Sequence, residues 1–150
     1  MFTRRSLLAA IVAVTLAGPT LAQSEGTEFT RINPNTASPA ELQSIPGLSP
    51  VLVQAIQRQR PFASIVDFNQ LVRKTLSEAK ADALYERLFM PINLNTATEE
   101  EIALIPGMTR RMIGEFLEYR PYESIEVFNR EIGKYVDKAE VARLRSYVTL

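Results

Sequence analysis

Residues 31–90 of this chain recur, without a gap, as residues 91–150. INPNTASPAELQSIPG, from Ile32, becomes INLNTATEEEIALIPG, from Ile92, and the register holds through RPFASIVDFN (from Arg60) and RPYESIEVFN (from Arg120). Across the two stretches 18 of 60 aligned pairs are identical. A duplication of this period restricts the chain to two copies of one small supersecondary unit. The residues kept in both copies are asparagines, helix caps and Pro-Gly turns rather than acid–base groups. The repeat is therefore expected to present backbone and surface to a partner.

Each copy carries four helix-start signals. Ser38-Pro39-Ala40-Glu41 and Thr98-Glu99-Glu100-Glu101 fit the capping box, in which a hydroxyl and a carboxylate three residues on satisfy each other's free backbone donors. Pro39 sits where a first helical residue tolerates proline. Glu41 and Glu101, the only acids matched between copies, are thereby read as caps and not catalysts. The first helix ends at Ile45-Pro46-Gly47 or Ile105-Pro106-Gly107, because proline stops a helix and glycine permits a tight turn. A second helix restarts at once from Ser49 or Thr109 and runs to Arg60-Pro61 or Arg120-Pro121. Helical spacing puts Leu52, Ile56 and Gln59, or Met112, Phe116 and Tyr119, toward the core.

The third helix starts at Ser64 or Ser124 and is expected to bury Ile65, Phe68 and Leu71, or Ile125, Phe128 and Ile132. The fourth opens at Ser77-Glu78-Ala79-Lys80 or Asp137-Lys138-Ala139-Glu140, the latter a capping-box pattern with Asp as the cap, and carries Leu84 and Leu88, or Leu144 and Val148. No stretch sustains a two-residue alternation, so the predicted fold is all-α, each copy being four short helices in two hairpins. A unit of about 60 residues buries only about 60% of the surface its unfolded chain exposes. The copies are therefore expected to pack on each other across the tight Phe89-Met90-Pro91 join.

The N-terminus has a different character. Arg4 and Arg5 precede an apolar run from Leu7 to Ala17 that falls short of the roughly 20 residues a spanning helix needs. Residues 1–22 are therefore expected to be a signal peptide cleaved after Ala22, with an uncleaved anchor as the alternative. Arg4-Arg5-Ser6-Leu7-Leu8 also fits a twin-arginine signal, and the choice of export route stays open. Residues 23–30 form a polar linker. Domain boundaries follow at 31–90 and 91–150, and the expected location is outside the cytoplasm, in a bacterial periplasm.

Cysteine and histidine are absent. That excludes disulfides, thiol nucleophiles, Cys or His metal sites, and acid–base pairs built on imidazole. No cofactor, metal, small-molecule substrate or enzymatic activity is expected. Without Arg4 and Arg5, 15 of the 17 basic residues remain against 17 acidic ones, so binding of nucleic acid by bulk charge is not expected. Residues 31–90 hold 7 basic and 5 acidic groups, and 91–150 hold 8 and 10, so any anion site must be local.

A helix, a turn of the form hydrophobic-Pro-Gly-hydrophobic-x and an immediate second helix make a helix-hairpin-helix pattern. INPNTASPAELQSIPG and INLNTATEEEIALIPG resemble the helix-hairpin-helix domain of the ComEA family, exported bacterial DNA receptors of competence. The resemblance covers both copies, with INxNTA joined to the Pro-Gly turn as its most specific part. It implies a double-stranded DNA partner bound without sequence preference, a role in DNA uptake, and contact with a membrane protein complex. In such hairpins backbone N–H groups and the positive end of the following helix hold a phosphate, and nearby Lys or Arg supply the salt-dependent remainder.

Here Gly47-Leu48-Ser49 and Gly107-Met108-Thr109 keep the first glycine of the family's Gly-hydrophobic-Gly turn and place a hydroxyl at the second. As N-caps, Ser49 and Thr109 compete with a phosphate for amide donors. The second hairpins, Val72 to Leu76 and Ile132 to Val136, lack the aligned glycines but share Lys74 and Lys134.

Two arginines in a first helical turn, Arg110 and Arg111, are unfavourable by about 0.3–1 kcal/mol unless an anion sits there. The bland alternative is a solvated pair compensated by Glu99 to Glu101. The resemblance thus assigns Gly107, Thr109, Arg110 and Arg111 to phosphate, with Lys134 and Lys138 extending the track and Gly47 and Ser49 as a second contact weakened by Pro50-Val51. Glu115, Glu118 and Glu123 are the acids that would interrupt such a track. The repeated Asn33, Asn35, Asn93 and Asn95 are expected to satisfy loop backbone, and Arg60 and Arg120 to anchor a loop. The rival reading is a protein-interaction module that has kept the fold and lost DNA affinity, and Pro121 to Ile125 resembles a photosystem II extrinsic subunit of this fold.

Overall fold

The computed structural model describes residues 31–150; the expected signal peptide (1–22) and linker (23–30) lie outside the described residues. The fold is all-α. In chain order the helices are α1 (Pro39–Gln43), α2 (Pro50–Gln59), α3 (Ile65–Arg73), α4 (Glu78–Tyr85), α5 (Glu99–Ala103), α6 (Arg110–Glu118), α7 (Ile125–Ile132) and α8 (Lys138–Arg145). Two short strands, β1 (Ile92–Asn93) and β2 (Val148–Thr149), flank the second set. No helix among the described residues is long and apolar enough to cross a membrane.

The helix starts follow the caps. Ser38 accepts from the Glu41 amide at 3.2 Å while the Glu41 carboxylate accepts from the Ser38 amide at 2.7 Å, and Thr98 and Glu101 repeat the exchange at α5. These bonds hold the Glu41 carboxyl below its usual range. At α8 only half of the expected box forms. Asp137 accepts from the Glu140 amide at 2.8 Å, but the Glu140 carboxylate is taken by Arg143 at 2.7 Å. Ser77 stands at the α4 N-cap without a side-chain bond.

The lead-in asparagines fix the loops. Asn35 donates to the Phe62 carbonyl at 3.0 Å and accepts from the Phe62 amide at 2.8 Å. Asn95 does the same with Tyr122, at 3.0 and 2.7 Å. Asn33 and Asn93 each accept from the amide two residues on. Arg60 and Arg120, each preceding a cis proline, donate to the carbonyls of Ala37 and Ala97 at 2.7 Å. All of these polar groups act on backbone, as loop anchors.

Each half closes on itself by a parallel pairing absent from the helical expectation. Ile32 bridges Leu88, and β1 pairs with β2 through Ile92–Val148 and Asn93–Thr149. Leu88 and Val148 were expected on the fourth helices. Those helices stop earlier, and the extended residues after them fill backbone donors of the lead-in: the Ile32 amide donates to Arg87 and the Ile92 amide to Tyr147.

The buried side chains form one cluster running from Ala37 to Val148. A ladder of rings crosses from one half to the other: Phe62, Phe68, Tyr85, Phe89 and Tyr147, with neighbouring centroids 4.9–6.1 Å apart. Phe89, at the join, packs edge-on against Tyr147 at 4.9 Å. Above it Glu86 accepts from the Tyr147 hydroxyl at 3.1 Å and pairs with Arg31 and Arg143 at 3.4 and 3.3 Å. Burial pushes the Tyr147 phenol up to about 12, against the opposing pull of the Arg31 charge.

Helical spacing placed the core with some errors. Gln59 is exposed, Met112, Tyr119 and Ile125 are half-buried, and Val53 and Ile113 are buried instead. Leu52, Ile56 and Phe116 are buried as expected, with Val53 buried beside Leu52, and only in α6 does burial shift from the expected Met112 to Ile113. Position 71, a buried Leu in the first half, is Glu131 in the second and is still only 8% exposed.

Asn95→Ala leaves the Tyr122 N–H and C=O without their partner, so it is expected to lower stability by about 2–4 kcal/mol in urea unfolding. Asn95→Asp keeps the acceptor and should lose less.

Candidate nucleic-acid interface

The two helix-hairpin turns share one backbone. Gly47 has φ +84° and Gly107 φ +77°, a region in which a side chain is strained. The turn closes through the Leu48 amide donating to Ile45 and the Met108 amide donating to Ile105. The hydroxyl after it caps the next helix: Ser49 accepts from the Leu52 amide and Thr109 from the Met112 amide, both at 3.2 Å. The competition foreseen for these caps is therefore real, since each hydroxyl occupies the third amide of its helix.

The first two amides decide how much donor capacity is left. At α6 the N–H groups of Arg110 and Arg111 have no intrahelical acceptor, as for any helix start. At α2 the corresponding residues are Pro50, which has no N–H, and Val51. Arg110 is exposed and has no acidic partner among the described residues. Val51 is 72% exposed. One hairpin thus offers two amides, a helix dipole and two guanidinium groups to an anion, while the other offers one amide and an apolar tip.

Arg111 does not stand alone. Its guanidinium lies 5.3 Å from the Tyr135 ring and 3.8 Å from the Glu115 carboxylate. Tyr135 and Tyr119 share a hydroxyl hydrogen bond of 2.9 Å, and the Lys134 ammonium sits 5.1 Å from the Tyr119 ring. Lys134 also pairs with Glu131, which pairs with Arg130 at 2.9 Å. The bond to Tyr119, with Glu115 nearby, raises the Tyr135 phenol.

The structure therefore brings Arg111 and Lys134 to one side of the second half, joined by the two tyrosines, with Arg110 exposed beside Arg111 at the start of α6. It does not join Lys138 to them: Lys138 opens α8 and lines a separate cavity beside Arg130 and Arg145. Of the acids expected to interrupt the track, Glu115 does, with its side chain 13% exposed beneath Arg111. Glu118 and Glu123 are exposed and form no ion pair among the described residues. The compensation that Glu99 to Glu101 were thought to give Arg110 and Arg111 comes from Glu115, for Arg111 only.

Sequence reasoning missed Glu131, Tyr135 and Arg143. The signal lay in the differences between copies: Val51, Ala55, Gln59, Leu71 and Thr75 become Arg111, Glu115, Tyr119, Glu131 and Tyr135; Arg111, Glu115, Tyr119 and Tyr135 are linked in space, and Glu131 joins them through Lys134. Arg143, where the first half has Ala83, reaches the hairpin itself. It donates to the Pro106 carbonyl at 2.9 Å while bound to Glu140 and Glu86. No group of acids among the described residues could hold a metal ion.

A model of the helix-hairpin-helix motif family matches residues 27–83. The chain therefore carries a helix-hairpin-helix domain, and nucleic acid is the class of partner to which that motif points. Comparisons with curated proteins and with solved structures each found no match.

Gly107→Ala is expected to cost about 1–3 kcal/mol, because a β-carbon is strained at positive φ; thermal unfolding would show it. Lys134, then Arg130, hold the Glu131 carboxyl below its usual range. Its contribution is then complete above the unfolded carboxylate value of about 4.3 and is lost as pH falls below it. The melting difference between wild type and Glu131→Gln should be clear at neutral pH and shrink in acid.

Proposed function

We propose that this chain is an exported, ComEA-like protein that binds duplex DNA without sequence preference through the second half's first hairpin. Phosphate oxygens would take the amides of Arg110 and Arg111, with both guanidinium groups adding charge and Gly107 permitting approach. Lys134 is a weaker contributor because Glu131 shares its charge. Gly47 and Ser49 belong to a hairpin with less donor capacity and serve as a secondary contact.

The observation that carries this reading is the first turn of α6, where Arg110 has no acidic partner among the described residues and Arg111 meets only Glu115, at 3.8 Å. Two arginines with free amides stand at the positive end of a nine-residue helix, an arrangement that is unfavourable without an anion. The matched family region covers the first half, so the second half enters as a further helix-hairpin-helix unit on its sequence identity and its helix layout at the same offset. Contacts limited to phosphate and sugar position a protein on DNA without reading bases, which supports nonspecific binding. The signal peptide, a periplasmic location and delivery of incoming duplex to a membrane complex complete the reading by family likeness.

A second reading, a protein-interaction module, draws on the acids Glu115 and Glu131, which neutralise Arg111 and Lys134. A salt series with fluorescent duplex separates the two. Binding by residues 23–150 should weaken with salt, with a slope of roughly −0.9 per phosphate contacted. Arg110→Glu/Arg111→Glu should abolish it. Absence of binding even at low salt would overturn the DNA reading in favour of the interaction module.

A further inference from the structure

The α7–α8 hairpin holds a cavity of about 410 Å³, within the range of roughly 300–1,000 Å³ typical of small-molecule sites. Val136, Val141 and Ala142 give it an apolar side, and Arg130, Lys138 and Arg145 line the rest. The larger groove between α1 and α2 has no charged lining residue.

The lining positions of Gly133 and Arg145 carry different residues in the first half. Counting sixty back, the lining residues Asn129, Gly133 and Arg145 correspond to Asn69, Arg73 and Tyr85. In the first half the Tyr85 side chain is fully buried, and its hydroxyl donates to the Asn69 oxygen at 2.7 Å. In the second half that ring is gone, Arg145 is exposed, and the Asn129 side-chain oxygen is buried without a hydrogen-bond partner. Gly133, at the end of α7, removes a further long side chain.

The charges around this opening are unevenly met. Arg130 is bound to Glu131. Lys138 has no acidic partner among the described residues, and Arg145 reaches the Glu126 carboxylate only through its field, without an ion-pair contact. Apolar walls beside two cations without ion pairs suit a ligand that has both parts.

We propose that the α7–α8 cavity binds a small amphipathic anion, a carboxylate or phosphate monoester on a short apolar body. The tail lies against Val136, Val141 and Ala142, and the head pairs with Lys138 and Arg145. The site has no nucleophile or acid–base pair, so its occupant is a ligand and not a substrate. The site lies apart from the α5–α6 hairpin proposed to hold phosphate, though its Arg130 shares Glu131 with Lys134.

The test is an NMR titration of the full chain with hexanoate and with hexyl phosphate, followed at the Gly133 amide and the Val136 and Val141 methyls. Hexanol and inorganic phosphate serve as tail-alone and head-alone controls. Either amphiphile is expected to saturate near ~1 mM or below, and both controls to bind at least about tenfold more weakly. The difference between hexanoate and hexyl phosphate identifies the preferred head group. Arg145→Tyr, which imports the first half's residue, should fill the cavity and abolish the shifts. Lys138→Gln, at an exposed position, should weaken binding about tenfold without altering the fold. Shifts that do not saturate, inorganic phosphate binding as tightly as the amphiphiles, or unchanged affinity in Lys138→Gln would each overturn the proposal.

Discussion

Each half depends on one amide. The Asn35 and Asn95 side chains pair with the backbone of the residue after the loop proline, donating and accepting at once. That exchange ties the lead-in, which is extended, to the start of the third helix, and it closes the α1–α2 or α5–α6 hairpin from behind. Arg60 and Arg120 add a second tie from the end of the second helix to the same lead-in. Backbone groups in a loop must find partners when water is excluded, and here side chains supply them for Phe62, Tyr122, Ala37 and Ala97. With this frame set, the positive-φ glycine and the following cap place the hairpin tip in the same way twice.

The two tips nonetheless differ in what they offer. A hairpin's anion affinity rests on free amides, dipole direction and local cations. The backbone fixes the dipole for both copies, while the residues at the first two helical positions set the amides and cations. Pro50 deletes one donor and Val51 adds apolar surface; Arg110 and Arg111 keep both donors and add charge. Divergence after duplication has thus kept a common scaffold and separated the surfaces.

Joining of the halves follows from the shortness of each. Neither has enough core to be expected to stand well alone, and the Phe89 ring and Tyr147, below the Glu86 cluster, merge the two into a continuous interior. Glu86 is half exposed, so its three polar contacts contribute modestly. The edge-on ring contacts and the fully buried Phe89 and Tyr147 side chains carry more of the cohesion. Arg143 links this joint to the second hairpin through the Pro106 carbonyl, a connection that Ala83 cannot make in the first half.

Local chemistry was legible in the chain. Caps, Pro-Gly stops and helix order depend on residues within a few positions of one another, so the helices among the described residues and their starts follow from sequence, as do the loop roles of the asparagines and the two anchoring arginines. The parallel closures were not legible, since two-residue strands have no periodicity to read and their partners lie some 56 residues away. The ion pairs of Arg111 with Glu115 and of Lys134 with Glu131 are local, at i,i+4 and i,i+3; not legible was that Tyr119 and Tyr135 would join them across two segments. The sequence by itself determined the helical unit, its duplication and the hairpin's backbone, because these are set by near-neighbour hydrogen bonding and sterics. Only the tertiary structure decided how the halves close and join and where a cavity opens, because strand pairing and packing depend on groups brought together from distant parts of the chain.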